Sequence, residues 1–247
     1  MSGDVRTKRR GPALWVTFDR PEAHNAMTFA MYEALFAACE HADADDAVRA
    51  LVLRGAGSKA FVAGTDIAQF EAFESGEDGL RYEAEIDRIV GRLEEVGVPT
   101  VALVDGFAMG SGLALAAACD LRVCTPAARF GLPIARTVGN CLSMANYARL
   151  AGLLGEARLK DIVLTARAID AGEALAIGLA TEVVDDAEAR AAELCETLAS
   201  HAPQTMRITK EALRRLRAAG LPDGDDLVRE AYASQDFRDR VAAFLER

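Results

Sequence analysis

Two short segments combine small residues with the start of a predicted helix, and both could present backbone N–H groups to a ligand. They are AFVAGTDI (60–67) and FAMGSG (107–112). Each begins as an apolar strand, and the first N–H groups of the following helix have no intrahelical acceptor. Such donors, aided by the helix dipole, bind negative charge. Two convergent N–H groups form an oxyanion hole, which stabilises an enolate or a tetrahedral intermediate.

Three other interpretations of these segments are a pair of tight turns, a dinucleotide-binding turn and a serine hydrolase site. Taken alone, either segment is more typical of a tight turn whose glycine serves helix–strand packing, and it is the presence of both that favours a binding site. A dinucleotide-binding turn is excluded, because Leu115 stands where G-x-G-x-x-G requires its third glycine. A serine hydrolase with Ser111 as nucleophile would need a histidine base. The available histidines, His24, His41 and His201, lie in no convincing catalytic loop, and Met109 replaces the first glycine of G-x-S-x-G.

Alternating strands and helices must position these segments. The predicted strands are 13–18, 48–54, 60–64, 100–105, 121–124, 128–130 and 181–184, and the predicted helices are 28–43, 80–95, 111–118, 141–154, 156–164 and 171–177. Thr28 is the predicted N-cap of the first helix, and ESGEDG (74–79) is predicted to be a polar connection. This order predicts an α/β body with mostly parallel strands. From Asp185 onward the chain is predicted to be helical, with breaks at 202–203 and 221–224.

Composition narrows the class of protein. The 247 residues carry a net charge of −10, which argues against nucleic acid as a partner because phosphate binding requires a basic face. The N-terminal segment has no long apolar stretch of the secretory type, and no apolar run approaches the roughly 20 residues of a membrane-spanning helix. The five cysteines form no C-x-x-C pair, which predicts reduced, mostly buried thiols in the cytoplasm and no metal site.

Four stretches of the chain follow the order of a known family. They are DRPEAHNAM (19–27), KAFVAGTDIAQF (59–70), VDGFAMGSGLALAAACDLRVCTPAARFGLP (104–133), and a tail with TKEAL and DFRDRVAAFLER. On these stretches the whole chain resembles the crotonase (enoyl-CoA hydratase/isomerase) superfamily. The resemblance implies a spiral of ββα units over residues 1–185 with the acyl-CoA site. It also implies a helical C-terminal region, 186–247, used for assembly into a homotrimer or a dimer of trimers. The implied ligand is an acyl-CoA thioester as substrate, with no further cofactor.

The resemblance also assigns residues. The oxyanion donors would be the backbone N–H groups of Thr65 and Ser111. The CoA path would be lined by the residues that match the family's binding positions: Ala23, His24, Ala63, Asp66, Ile67 and Met109. Glu22 stands where the family often has lysine, so cations for the CoA phosphates must come from elsewhere. The candidates are Arg20, Lys59, Lys210, Arg214 and Arg215, although a solvated helix face is the more ordinary role for the last two.

The pattern breaks at the acid–base positions. Hydratases of this family use two glutamates to activate one water, and the matching positions here are Ala114 and Ile134. Neither side chain can exchange a proton, so paired-carboxylate chemistry is not available at those places.

Replacement polar groups are expected in the altered segment ARTVGNCLSMANYARL (135–150), which carries an apparent one-residue insertion. The candidates are Arg136, Asn140 and Ser143. Arg136 could polarise a carbonyl or form a subunit-interface ion pair, and Asn140 could orient a water or cap a helix. Ser143 could be an ordinary helix residue. The sequence therefore predicts an acyl-CoA-processing enzyme whose reaction differs from hydration, or a non-catalytic acyl-CoA-binding paralogue.

Overall fold

Two sheets and ten α-helices form the part of the chain that the computed structural model describes, residues 4–219 and 225–246. The strands are β1 Asp4–Arg10, β2 Ala13–Asp19, β3 Ala50–Gly55, β4 Ala60–Val62, β5 Thr100–Val104, β6 Phe107–Met109, β7 Leu121–Cys124, β8 Arg129–Gly131, β9 Ala168–Asp170 and β10 Glu182–Val183. The helices are α1 Phe29–Ala44, α2 Gly76–Glu95, α3 Ser111–Ala118, α4 Met144–Leu154, α5 Glu156–Thr165, α6 Ala171–Ala176, α7 Ala187–Ser200, α8 Pro203–Ala218, α9 Asp225–Ala233 and α10 Gln235–Leu245.

From β3 to β8, consecutive strands alternate between the two sheets, and this produces the spiral. The larger sheet has the order β1-β2-β3-β5-β7-β10, and the smaller has the order β4-β6-β8-β9. The pairs β3–β4, β5–β6 and β7–β8 each place one strand in each sheet before the chain enters a helix. The ββα architecture and the mostly parallel pairing are therefore confirmed.

Both faces of the larger sheet are buried, which explains its nearly continuous apolar strands. Leu14, Val16 and Phe18 face the main core, whereas Ala13 and Trp15 belong to a second cluster under α7. The predicted strands lie within one or two residues of the observed ones. The predicted strand ranges lack β1, β6 and β9. Strands β1 and β9 pair antiparallel with β2 and β8, whereas β6 pairs in parallel with β4 and β8. Strand β1 is almost entirely exposed and charged, so it lacks an apolar signal.

Local capping decides where the helices begin. Thr28 caps α1 as predicted, accepting a hydrogen bond from the N–H of Met31 at 3.3 Å. Helix α2 begins four residues earlier than predicted, because Asp78 accepts from the N–H of Ser75 at 2.9 Å and closes the first turn. The stretch ESGEDG is therefore mostly helix, and its prediction as a connection was wrong.

Glycine in this first turn serves packing between helices. A Cβ on Gly79 would lie 2.1 Å from Cγ of Tyr232, so only glycine allows α9 to pack directly on α2. Helices α9 and α10 thus return to the core after α8, and they bury Tyr232 and Phe237.

The helical C-terminal region is confirmed for the described residues, with a break after α7 at 201–202. The second predicted break, 221–224, lies outside the described residues. Helix α8 buries no side chain in this chain, and its apolar residues Ile208, Leu213 and Leu216 are more than half exposed. Among the described residues, no helix combines the length and apolar character needed to cross a bilayer.

Candidate active site

The two small-residue segments meet at one end of the smaller sheet. Strands β4 and β6 pair in parallel and end side by side. After β4, the N–H of Met27 donates to Gly64 O at 2.8 Å and the N–H of Asp66 donates to Met27 O at 2.9 Å. These bonds flank Thr65, whose own N–H has no acceptor among the described residues. Ser111 is the first residue of α3, where a helix leaves its N–H groups unpaired.

The two glycines around Ser111 have different tasks. Gly110 has a φ of 55°, which side-chain-bearing residues rarely adopt, so it shapes the turn. At Gly112 a Cβ would lie 2.0 Å from the carbonyl oxygen of Val62, so this glycine lets α3 pack on β4. The packing role considered for glycine in this segment is therefore confirmed for Gly112. A Cβ on Gly110 would lie 3.6 Å from Cα of Gly64, so the two segments approach each other closely at these glycines.

Four hydroxyl groups tie the two segments together. Thr65 Oγ1 lies 2.7 Å from Tyr32 Oη, 2.6 Å from Tyr82 Oη and 3.4 Å from Ser111 Oγ. Burial raises the pKa of Tyr32 to about 12 and that of Tyr82 well above its usual value, so both phenols stay neutral. The cluster fixes the orientation of the two N–H groups without introducing charge.

A cavity of about 170 Å³ opens in front of these segments. It is lined by six of the predicted site residues, Ala63, Thr65, Ile67, Met109, Ser111 and Asn140. Ala114 and Ile134, at the positions of the hydratase glutamates, also line it. The wall is apolar at both of those positions.

Other predicted site residues lie elsewhere. His24 is exposed beside Phe107, with a ring-centroid separation of 6.5 Å, and borders a second cleft that also contains Lys59. Ala23 lies in the short 3-10 helix of the same loop. Asp66 pairs with Arg20 at 2.7 Å, which joins the first loop to the segment after β4.

Two of the three polar candidates from the altered segment do not line the cavity. Arg136 is exposed, and its carbonyl oxygen accepts from Arg240 at 2.9 Å. Ser143 is buried and caps α4, accepting from the N–H of Asn146 at 3.2 Å while donating to Asp87 at 2.6 Å. The helix cap is thus Ser143 rather than Asn140, so the capping role considered for Asn140 was wrong.

The predicted cations differ in availability. Arg20 forms an ion pair with Asp66. Lys210, which lies on α8, pairs with Asp120 at 2.6 Å. Arg214 and Arg215 both pair with Glu211. Lys59 is exposed, and the described residues place no carboxylate within ion-pair distance of it.

A hydrolase triad is not assembled. None of the three histidines lines the cavity that contains Ser111.

Within residues 4–219 and 225–246, no group of three or more His, Cys, Asp or Glu side chains is placed to hold a metal ion.

The sequence did not predict a carboxyl group that lines the same cavity. Glu83 on α2 is 5% exposed and accepts hydrogen bonds from Tyr232 Oη at 2.7 Å and from the N–H of Ser143 at 2.9 Å. Burial raises its pKa to about 8. The available signal was its spacing, because Glu83 falls on the same helix face as Ile86 and Val90. A lone charge within an apolar stripe indicates a buried ionisable group.

The ββα spiral with its C-terminal helices is the architecture of the crotonase class. The sequence model of the enoyl-CoA hydratase/isomerase family matches residues 10–247. The chain therefore belongs to this family, whose members process acyl-CoA thioesters.

Individual relatives agree with this assignment over nearly the full chain. The short-chain-enoyl-CoA hydratase of Clostridium acetobutylicum is 31% identical, with 99% of this chain and 95% of the relative covered. The enoyl-CoA hydratase domain-containing protein 2 of Mus musculus is 32% identical, with 96% and 84% covered. The crystal structure of an enoyl-CoA hydratase/isomerase from Pseudoalteromonas atlantica has a TM-score of 0.84 at 31% identity, with 98% and 96% covered.

Proposed function

We propose that this protein is an acyl-CoA-processing enzyme that binds a thioester carbonyl between the N–H groups of Thr65 and Ser111 and stabilises the derived enolate. The observation that carries the proposal is the placement of these two unpaired donors at one cavity. Preorganised donors of this kind stabilise developing oxyanion charge because they need no reorganisation during the reaction. Loss of one such donor costs roughly 3 kcal/mol of transition-state stabilisation.

The CoA moiety is proposed to run from this cavity towards the first loop. Ala63, Ile67 and Met109 line the inner part of the path. Ala23 and His24 border its outer part, where Phe107 is 43% exposed and offers an apolar face. Lys59 is proposed as the cation that contacts a CoA phosphate, because it lies beside His24 and has no ion pair among the described residues.

The reaction is proposed to differ from hydration by a glutamate pair. Ala114 is 2% exposed and Ile134 is 8% exposed, so neither position offers a carboxylate to hold a water in the cavity. The same observation favours a second candidate function, a non-catalytic acyl-CoA-binding paralogue.

One experiment separates these candidates. Purified protein is titrated with saturated butyryl-CoA by calorimetry, and then incubated with that ligand in D₂O while exchange of the α-protons is followed by NMR. The enzyme hypothesis predicts binding together with exchange, because exchange requires the enolate. Binding without exchange, combined with no turnover on a panel of 2-enoyl- and 3-enoyl-CoA thioesters, would establish the non-catalytic paralogue.

Assembly into a homotrimer or a dimer of trimers is proposed from the exposed apolar face of α8, formed by Ile208, Leu213 and Leu216. An apolar face of this kind is typical of a protein–protein interface. Sedimentation velocity of the protein and of Leu213→Glu tests the proposal. A variant that sediments like the parent protein would contradict a role for this face in assembly.

A further inference from the structure

Glu83 is a buried carboxyl group without a cation. Several acidic residues of α2 pair with arginines, such as Asp78 with Arg81 and Glu94 with Arg149 at 2.6 Å, whereas Asp87 accepts hydrogen bonds from Ser143 and Asn146. For Glu83 the described residues offer no lysine, arginine or histidine within ion-pair distance. Burying a charge without a partner is costly, and a strongly perturbed carboxyl in a cleft is a candidate functional group. We therefore expect the Glu83 carboxyl group to have a function that compensates for the free-energy cost of burying it.

A chain of hydrogen bonds leads from Glu83 along the cavity wall. Tyr232 Oη donates to Glu83 Oε1 at 2.7 Å, and Asn140 Nδ2 donates to Tyr232 Oη at 2.9 Å. Asn140 lines the cavity, and its Oδ1 atom is buried with no hydrogen-bond partner among the described residues. A buried acceptor of this kind is satisfied by an ordered water or by a donor of a bound group.

The fold holds this chain of residues rigidly. Tyr232 is 1% exposed and packs on Phe237 and Phe73, with ring-centroid distances of 4.9 Å and 6.0 Å. The absence of a side chain at Gly79, one turn before Glu83, makes room for the Tyr232 ring. The N–H of Ser143 holds the second carboxyl oxygen at 2.9 Å. Three elements, α2, α9 and the loop before α4, thus converge on one carboxyl group.

In the part of the chain that the structure describes, no cation lies within ion-pair distance of Glu83 to favour its charge. Its titratable neighbours are Asp87 on its own helix, Tyr32 on α1, Tyr82 on α2, Cys141 before α4, Tyr147 on α4 and Tyr232 on α9. Burial raises the pKa of every one of these groups. Arg149 of α4 pairs with Glu94.

We propose that Glu83 is the acid–base residue of this cavity, with Tyr232 and Asn140 as its positioning residues, in place of the two family glutamates. The inference rests on the proposed function, because it requires a thioester held by Thr65 and Ser111. The Glu83 carboxylate removes a proton from the α-carbon of a 3-enoyl-CoA. The C–H bond breaks, an O–H bond forms on Glu83, and the electron pair moves to the thioester oxygen.

The same proton then returns at the γ-carbon. The enolate electrons reform the carbonyl and shift the double bond to the 2-position, and Glu83 becomes a carboxylate again. One carboxyl group suffices for this 1,3-proton transfer, and no other reactant is consumed. The substrate class is therefore a β,γ-unsaturated acyl-CoA rather than one that needs an activated water.

The test compares Glu83→Gln, Tyr232→Phe and the control Glu85→Gln in conversion of 3-hexenoyl-CoA and in exchange of butyryl-CoA α-protons. Glu85 lies on the same helix, but it is paired with Arg88 on the surface. General acid–base groups contribute roughly 100- to 10,000-fold, so we expect Glu83→Gln to lose at least about 100-fold in kcat with little change in acyl-CoA Kd. Glu85→Gln keeps the parent rate.

The pH profile distinguishes chemistry from folding. In the parent protein kcat rises with pH and levels off near the pKa of Glu83, about 8. Tyr232→Phe removes a hydrogen bond that favours the carboxylate, so the rising limb moves to higher pH. Glu83→Gln with the parent rate and profile would overturn the inference and leave the proposed function intact. A parent protein that binds acyl-CoA but neither converts nor exchanges it would overturn both.

Discussion

Two parts of the cavity wall differ in how the chain builds them. The turn region, Ala63–Ile67 with Met109–Ser111, uses two short segments whose donors belong to the backbone. The carboxyl region, Glu83 with Asn140 and Tyr232, uses side chains separated by up to 149 positions along the chain. In the proposed reaction, the first region provides fixed partial charge, and the second provides a group that gains and loses a proton. The proposal thus places enolate stabilisation and proton transfer in different parts of the candidate site.

The largest effect is expected in the turn region. Ser111→Pro removes the Ser111 N–H at the first helical position, where proline is well tolerated. We expect kcat/KM to fall roughly 100- to 1000-fold, as for loss of one oxyanion donor. Ser111→Ala, which keeps the N–H, should lose less than about 10-fold. Equal losses in the two folded variants would mean that the hydroxyl, not the backbone, matters.

The second prediction concerns the carboxyl region and pH. Because the folded-state pKa of Glu83 is raised to about 8, the folded protein holds a proton that the unfolded chain releases above pH about 4.5. This contribution to stability is fully present below the unfolded pKa and is lost as pH rises towards 8. Between about pH 5 and about pH 7, parent stability should fall by roughly 2–3 kcal/mol relative to Glu83→Gln. Urea unfolding at both pH values measures this difference, and parallel curves would contradict it.

The third prediction tests the packing that brings Tyr232 to Glu83. Gly79→Ala should destabilise the protein by about 1–3 kcal/mol, because the added Cβ meets the Tyr232 ring. Gly91→Ala on the same helix meets nothing within 4 Å and should stabilise by about 0.5–1 kcal/mol. Thermal and urea unfolding report both changes. A stabilised Gly79→Ala would show that α9 does not pack against α2 in this way.

The smallest effect is expected at the outer end of the turn region. Lys59→Ala should weaken acyl-CoA binding about 3- to 10-fold, as for loss of one exposed charge contact of about 1 kcal/mol. The effect should shrink at high salt, because exposed charges are screened. Arg215→Ala, on α8 and paired with Glu211, is the control. Calorimetry that finds equal Kd values for both variants would remove Lys59 from the CoA path.

Much of the fold could be predicted from residues that are close together in the sequence. The runs ALWVTF and TVALV are apolar throughout because both faces of the larger sheet are buried, and they were predicted nearly to their ends. Thr28 was identified as a cap because its hydroxyl acts on an N–H three residues away. Strand β1 was not predicted because the side chains of its sequence, DVRTKRR, face solvent and form no apolar pattern. It pairs with β2 through backbone hydrogen bonds.

The sequence by itself determined the family, the α/β spiral, the position of the two turns and the loss of carboxylates at Ala114 and Ile134. These features depend on residues within a few positions of one another, where spacing and side-chain type are sufficient. Only the tertiary structure decided that Arg136 faces solvent, that Ser143 caps a helix and that Glu83, which lines the cavity, accepts a hydrogen bond from Tyr232. Burial and long-range hydrogen bonds set these outcomes, because the pKa of a carboxyl group depends on which distant segments exclude water from it.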